Sequence, residues 1–159
     1  MPRLEATGAQ GIRLHKLVDL VAGSSTFQSR RQIFDPVELE EKHIHWPWLR
    51  KELNEKIHRP CTVIEQLPVT WTSPAKGTMM PDGALKLTIT DNARQGSMED
   101  SFTDFTNFAD GLIKDIVEAV QVNDALDATM IEQIQTPLHS PDNEPVKYWS
   151  TIYRIDWGR

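Results

Sequence analysis

The feature that most limits how this chain can fold lies past its middle, in SMEDSFTDFTNFADGLIKDIVEAV, residues 97–120. Phe102, Phe105, Ala109, Leu112, Ile113, Ile116 and Val120 recur at three- and four-residue steps. That spacing lines one side of a long helix and calls for an apolar surface to receive it. Ser97 can cap the helix, with Asp100 at the reciprocal capping-box position. Glu99, Asp100 and Asp104 sit near the positive end of the helix dipole, where negative charge is stabilising. Gly111 lowers helix propensity by about 1 kcal/mol, and its missing side chain leaves room for another backbone to approach.

The receiving surface is legible as strands. GALKLTITD alternates, with Leu85, Leu87 and Ile89 on one side and Lys86, Thr88 and Thr90 on the other. KYWSTIYRIDWG does the same, placing Trp149, Thr151, Tyr153, Ile155 and Trp157 together. Period-two patterning of this kind marks half-buried antiparallel strands. CTVIEQL is rich in β-branched residues, and the second half of VNDALDATMIEQIQTPL reads as a further strand. GIRLHKLVDLVAG supplies an N-terminal helix through Leu14, Leu17, Val18 and Val21, with Gly23 expected as a left-handed cap. SSTFQSRRQ adds a short turn of helix capped by Ser24 or Ser25. IFDPVELEEKHIHWP reads as extended or irregular, and PWLRKELNEKI as a short helix opened by Pro47. The expectation is a single α+β domain over residues 1–159, with a small, mostly antiparallel sheet and the long helix on one face.

One stretch stays outside this pattern. PVTWTSPAKGTMMPDG has three prolines and two glycines and reads as a long turn-rich loop at about 67–83. Loops of that length inside a compact domain are uncommon and often functional. Trp71, Met79 and Met80 have no periodicity there to bury them, so they are candidates for a partner or subunit interface.

The chemistry-bearing residues do not assemble into a recognisable constellation. In HIHWPW, His43 and His45 would face one side of an extended segment and could share a metal with His58, Glu40 or Asp35. No fixed third partner accompanies the pair, so no metal ligand is assigned. Trp46 and Trp48, around Pro47, read first as a corner anchor and second as contact residues. Cys61 opens a strand and reads as a small buried apolar residue. Ser24 and Ser25 lack a glycine elbow. No glycine-rich phosphate cradle occurs, so no cofactor is expected. The acidic runs Glu38, Glu40, Glu41 and Glu99, Asp100 read as solvated faces. The chain is therefore expected to have no catalytic residue.

Composition narrows the partners. The net charge is −6 in 159 residues, and the positive residues are scattered. That disfavours a gripping contact with nucleic-acid phosphates. No apolar run approaches the length that spans a membrane, and one cysteine excludes an internal disulfide.

Taken in order, several segments resemble the tail-terminator, or tail-completion, proteins of long-tailed bacteriophages. LVDLVAGSSTFQ is similar to that family's N-terminal helix running into a small-residue turn and an aromatic. The extended HIHWP follows, and RPCTVIEQ is similar to its first strand. SFTDFTNFADGLIKDI matches its amphipathic helix, and YWSTIYRIDWG its last strand. Segment 124–145 has no counterpart, and the PWLRKELNEKIH helix reads as a local elaboration. The resemblance implies a virion protein assembled in the host cytoplasm into a homo-oligomeric ring, usually of six copies. Such a ring caps the tail tube protein and meets the head connector or adaptor protein, while DNA passes through the lumen without specific binding. Another neck component, such as a head-completion or head–tail adaptor protein, fits the same residues. From other classes, a small metal-dependent enzyme using His43 and His45, or a module with a tryptophan-lined ligand pocket, remain open on the sequence.

Overall fold

A computed structural model of the chain describes residues 3–46, 58–123 and 126–158. The segment expected as a PWLRKELNEKI helix, and Trp48 with it, lies outside the described residues. Among the described residues the order is α1 (Ala9–Ala22), α2 (Ser25–Arg31), α3 (Pro36–His43), β1 (Ile44–His45), β2 (Cys61–Gln66), β3 (Thr70–Ala75), β4 (Thr78–Asn92), α4 (Met98–Asn123), β5 (Ala128–His139) and β6 (Tyr148–Trp157). The sheet runs β1-β2-β4-β6-β5, with β3 paired to β4 off that path. Only the short β1–β2 pair is parallel; the rest are antiparallel. The α+β architecture with α4 on one sheet face is as the patterning dictates.

The alternation of β4 and β6 explains which face is covered. Leu85, Leu87 and Ile89 are fully buried, as are Thr151 and Ile155, with Trp149, Tyr153 and Trp157 close behind. They meet Phe105, Phe108, Ala109, Leu112 and Ile116 from α4 and Leu17, Val18 and Val21 from α1. Each fully buried aliphatic side chain here contributes about 1.5–3 kcal/mol relative to exposure. The opposite sheet face is polar. There Glu65, Lys86, Arg154 and Glu132 stand side by side across four strands, with Lys86 3.4 Å from Glu65.

Local chemistry sets the helix ends. Ser97 Oγ accepts from the Asp100 N–H at 3.1 Å at the start of α4, and Ser24 Oγ accepts from the Phe27 N–H at 3.3 Å at the start of α2. Gly111 does accept a close neighbour, but a side chain rather than a backbone: a Cβ built there would lie 2.9 Å from Thr26 Cγ2. α2 thus rests on α4, and Phe27 meets Phe108 with ring centroids 6.0 Å apart.

Four expectations change. Residues 36–43 form helix α3 instead of an extended segment, because Asp35 caps it by accepting from the Val37 N–H at 3.1 Å and Pro36 occupies the first turn, where its missing N–H costs nothing. Gly23 ends α1 in right-handed backbone, φ −85°; the left-handed residue is Gln32 after α2, φ 57°. Phe102 is 42 % exposed and does not join the buried stripe. The turn-rich loop at 67–83 is a two-stranded ribbon made by β3 and the first part of β4.

Candidate functional site

The ribbon follows from the pairing register of β4. Residues Leu85–Thr90 of β4 pair with β2, and Gly83–Asn92 pair with β6. Thr78–Asp82 pair only with β3. The ribbon therefore projects past the body of the sheet as two strands, with no third among the described residues. Its turn is at Lys76–Gly77, and Gly77 has φ +85°, a left-handed conformation that glycine adopts without a steric penalty. Two of the three prolines that suggest a loop sit where a strand tolerates them. Pro74 is on β3, which has no partner on its outer side, and Pro81 lies where β4 is paired on one side alone.

Alternation along β4 places Met79, Pro81 and Gly83 on the same side as Leu85, Leu87 and Ile89. Trp71 stands directly opposite Pro81 and shares that side. The core face of the sheet thus continues onto the ribbon, where no helix among the described residues covers it. Trp71 is 57 % and Met79 58 % exposed. Met80, 41 % exposed, points to the other side, beside Thr72. The root of the ribbon is closed tightly: a Cβ on Gly83 would stand 2.9 Å from the Trp157 ring. Arg13 caps that ring from above at 4.8 Å and pairs with Asp127. An isolated two-stranded ribbon has little stability of its own in water, so Trp71 and Met79 together on one side define a surface suited to being covered.

The structure disperses the other sequence candidates. Trp46 is half-buried against the core, with His15 edge-on at 5.2 Å and Arg3 over its ring at 5.7 Å; it anchors the corner after β1. His43 ends α3 and His45 lies in β1, so they do not share one strand face. Arg31 Nη2 lies 2.6 Å from His43 Nε2. A guanidinium only donates, so that imidazole nitrogen must accept and the ring is neutral. Burial first, then Arg31, His45, His58 and Lys42, pull the His43 pKa down to about 4. A nitrogen already engaged with a cation is a poor metal ligand. Among the described residues, no three His, Cys, Asp or Glu side chains are grouped to hold an ion. Cys61 is buried, and burial raises its thiol pKa to about 11. A shallow hollow of about 290 Å³ at the ribbon's root is lined by Trp157, Pro68 and Gly83 together with polar groups such as Thr70, Asp82, Arg154 and Asp156.

In the first acidic run, Glu38 and Glu40 are paired with cations. Lys42 Nζ is 2.7 Å from Glu38, and Arg3 Nη1 is 2.6 Å from Glu40.

Sequence reasoning missed the far end of the sheet. There Arg30 donates to Asp104 at 2.6 and 3.1 Å and to Asp91 at 2.8 Å. Asp104 is pulled down chiefly by its hydrogen bonds from Arg30, whereas burial raises Asp91 in spite of the same cation. The outer pair is the favourable one; Asp91 is held by the fold. Met98, 55 % exposed, and Phe102 lie beside this network on the first turns of α4. The only sequence signal for them is their four-residue spacing. No protein-family model matches the chain, and no curated protein matches its sequence.

Proposed function

We propose that this chain is a structural subunit of a phage head–tail junction, a ring-forming tail terminator that caps the tail tube and meets the head connector. The observation that carries the assembly part of the reading is the ribbon. It extends the core face of the sheet beyond its helices and exposes Trp71 and Met79 on it. Large apolar side chains on a projecting two-stranded element favour burial against another chain. The virion setting rests on the ordered resemblance of the segments given above, and six copies is the ring size that resemblance implies.

The acidic balance supports a lumen role. A net charge of −6 discourages DNA from adhering to a channel through which it must slide. The proposed roles of Trp71, Met79 and Met80 are contact roles without bond chemistry.

The test is direct. Negative-stain images of the purified protein should show closed rings of uniform diameter. Virions lacking the protein should carry overlong tails or tails without heads. Normal tails joined to heads in its absence would overturn the reading.

A further inference from the structure

A covering element for the ribbon can be identified from the chain itself, and this step rests on the ring-forming reading above. Two apolar patches lie at opposite ends of β4. One is the ribbon face, Trp71 with Met79 and Pro81. The other is the first two turns of α4, where Met98 and Phe102 sit four residues apart on one side and are 55 % and 42 % exposed. The second patch is fixed to the far end of the sheet. Ser101 Oγ accepts from Trp149 Nε1 at 2.9 Å, at the start of β6, and from the Arg94 N–H at 3.0 Å, just past the end of β4. Phe102 meets Trp149 edge-on, with centroids 5.5 Å apart. From Gly83 to Asn92 the strand spans about 30 Å at roughly 3.3 Å per residue. One chain's ribbon therefore cannot reach its own α4 start.

The charges at the ribbon's turn and at the start of α4 are opposite. From Thr70 to Asp82 the ribbon carries two ionic side chains, Lys76 at its turn and Asp82 at its root. The first turn of α4 carries Glu99 and Asp100, both exposed. In a molecule of net charge −6, most approaches of two copies are repulsive, and this one brings a cation to two anions. The edges of the ribbon favour contact through its face. β3 has Pro74 and a register irregularity between Thr72 and Ala75, features that blunt an edge against strand addition.

We propose that the Trp71–Met79–Pro81 face of one copy docks on Met98 and Phe102 at the start of α4 of a second copy, with Lys76 against Glu99 and Asp100. Two unlike patches at opposite ends make a heterologous, head-to-tail contact, the kind that closes into rings.

Native mass spectrometry of the full chain tests this with six proteins: wild type, Trp71→Ser, Met98→Ser, Lys76→Glu, Glu99→Lys/Asp100→Lys, and the chain that combines the last two. Wild type should form a closed oligomer. Trp71→Ser and Met98→Ser should each weaken assembly by about tenfold or more, as a central apolar contact does when truncated. Mixed together, these two variants should give 1:1 heterodimers and no ring, because each retains one good patch. Lys76→Glu and Glu99→Lys/Asp100→Lys should each weaken assembly, and the two changes combined in one chain should restore it. A wild-type ring that persists unchanged in Trp71→Ser and Met98→Ser overturns this interface and leaves the ring reading standing. Wild type that stays monomeric up to millimolar concentration overturns both.

Discussion

Strand β4 passes through two environments, and its one alternating face has a different fate in each. Along Leu85, Leu87 and Ile89 that face is fully buried under α1 and α4. Along Met79 and Pro81, a few residues earlier, the same face has no helix of the described residues above it, and Met79 is 58 % exposed. The side chains are apolar in both places. What differs is pairing: the covered stretch has β2 and β6 on its flanks, and the bare stretch has β3 alone. Apolar patterning therefore states that a surface will be covered, while sheet pairing decides whether the chain covers it itself.

The largest test of this contrast is a pair of truncations. Leu87→Ala should lower stability by about 2–5 kcal/mol, the range for a buried leucine that leaves a cavity. Met79→Ala should change it by less than about 0.5 kcal/mol, as exposed substitutions do. Urea unfolding of both variants at low protein concentration measures this. Equal losses would mean that the ribbon is part of the folding core, and the contrast would be gone.

The covered end should also respond to pH. His43 is held neutral by burial and by Arg31, with its pKa lowered to about 4. The unfolded chain binds that proton near the ordinary value of about 6.5. Between those values the unfolded state carries more protons, so stability falls as pH falls through the window from 6.5 to 4. The full effect is as much as about 3 kcal/mol, since each unit is worth 1.36. Denaturation midpoints at pH 7 and 5.5 should differ more in the wild type than in His43→Gln. The ribbon has no histidine, so the wild-type and His43→Gln chains should expose Trp71 alike at both values.

The boundary between the two environments can be probed at Gly83, whose missing side chain admits the Trp157 ring. Gly83→Val should cost about 1–3 kcal/mol through overpacking and tilt the ribbon's root. The matching change at the turn, Lys76→Val, falls on an exposed residue and should leave stability within about 0.5 kcal/mol. Thermal unfolding of the two variants distinguishes a packed hinge from a loose one.

Much of the covered region was legible in the sequence, because α4, the main stretch of β4 and β6 each repeat their apolar residues at the period of their own backbone. The ribbon was read as a loop because Pro74, Gly77 and Pro81 are strong breakers locally; only pairing shows that each sits where a strand edge or turn accepts it. Trp71, Met79 and Met80, which have no periodicity to bury them, are exposed on that ribbon. α3 was missed because HIHWP drew the reading toward extended chain, while the Asp35–Pro36 start signal lay one step upstream. Phe102 was misplaced for a different reason. Helical spacing fixes which side it occupies, but whether that side is covered depends on how far the sheet reaches, and the sheet ends near Trp149.

The smallest expected effect on the isolated chain is at Trp71, and there the contrast is sharpest. Trp71→Ser removes a residue that is 57 % exposed, so the monomer's unfolding free energy should move by no more than about 0.5 kcal/mol. A surface that is covered only by a second copy stabilises the fold by mass action, in proportion to the logarithm of concentration over the dissociation constant. The wild-type unfolding temperature should therefore rise as protein concentration is raised, and that of Trp71→Ser should stay flat. The two curves should converge at high dilution, where no copy finds another. A variant that is already less stable at the lowest concentration would place Trp71 within its own chain's packing. Its exposure would then be incidental, and the ribbon would have to be read as an irregular extension of the core.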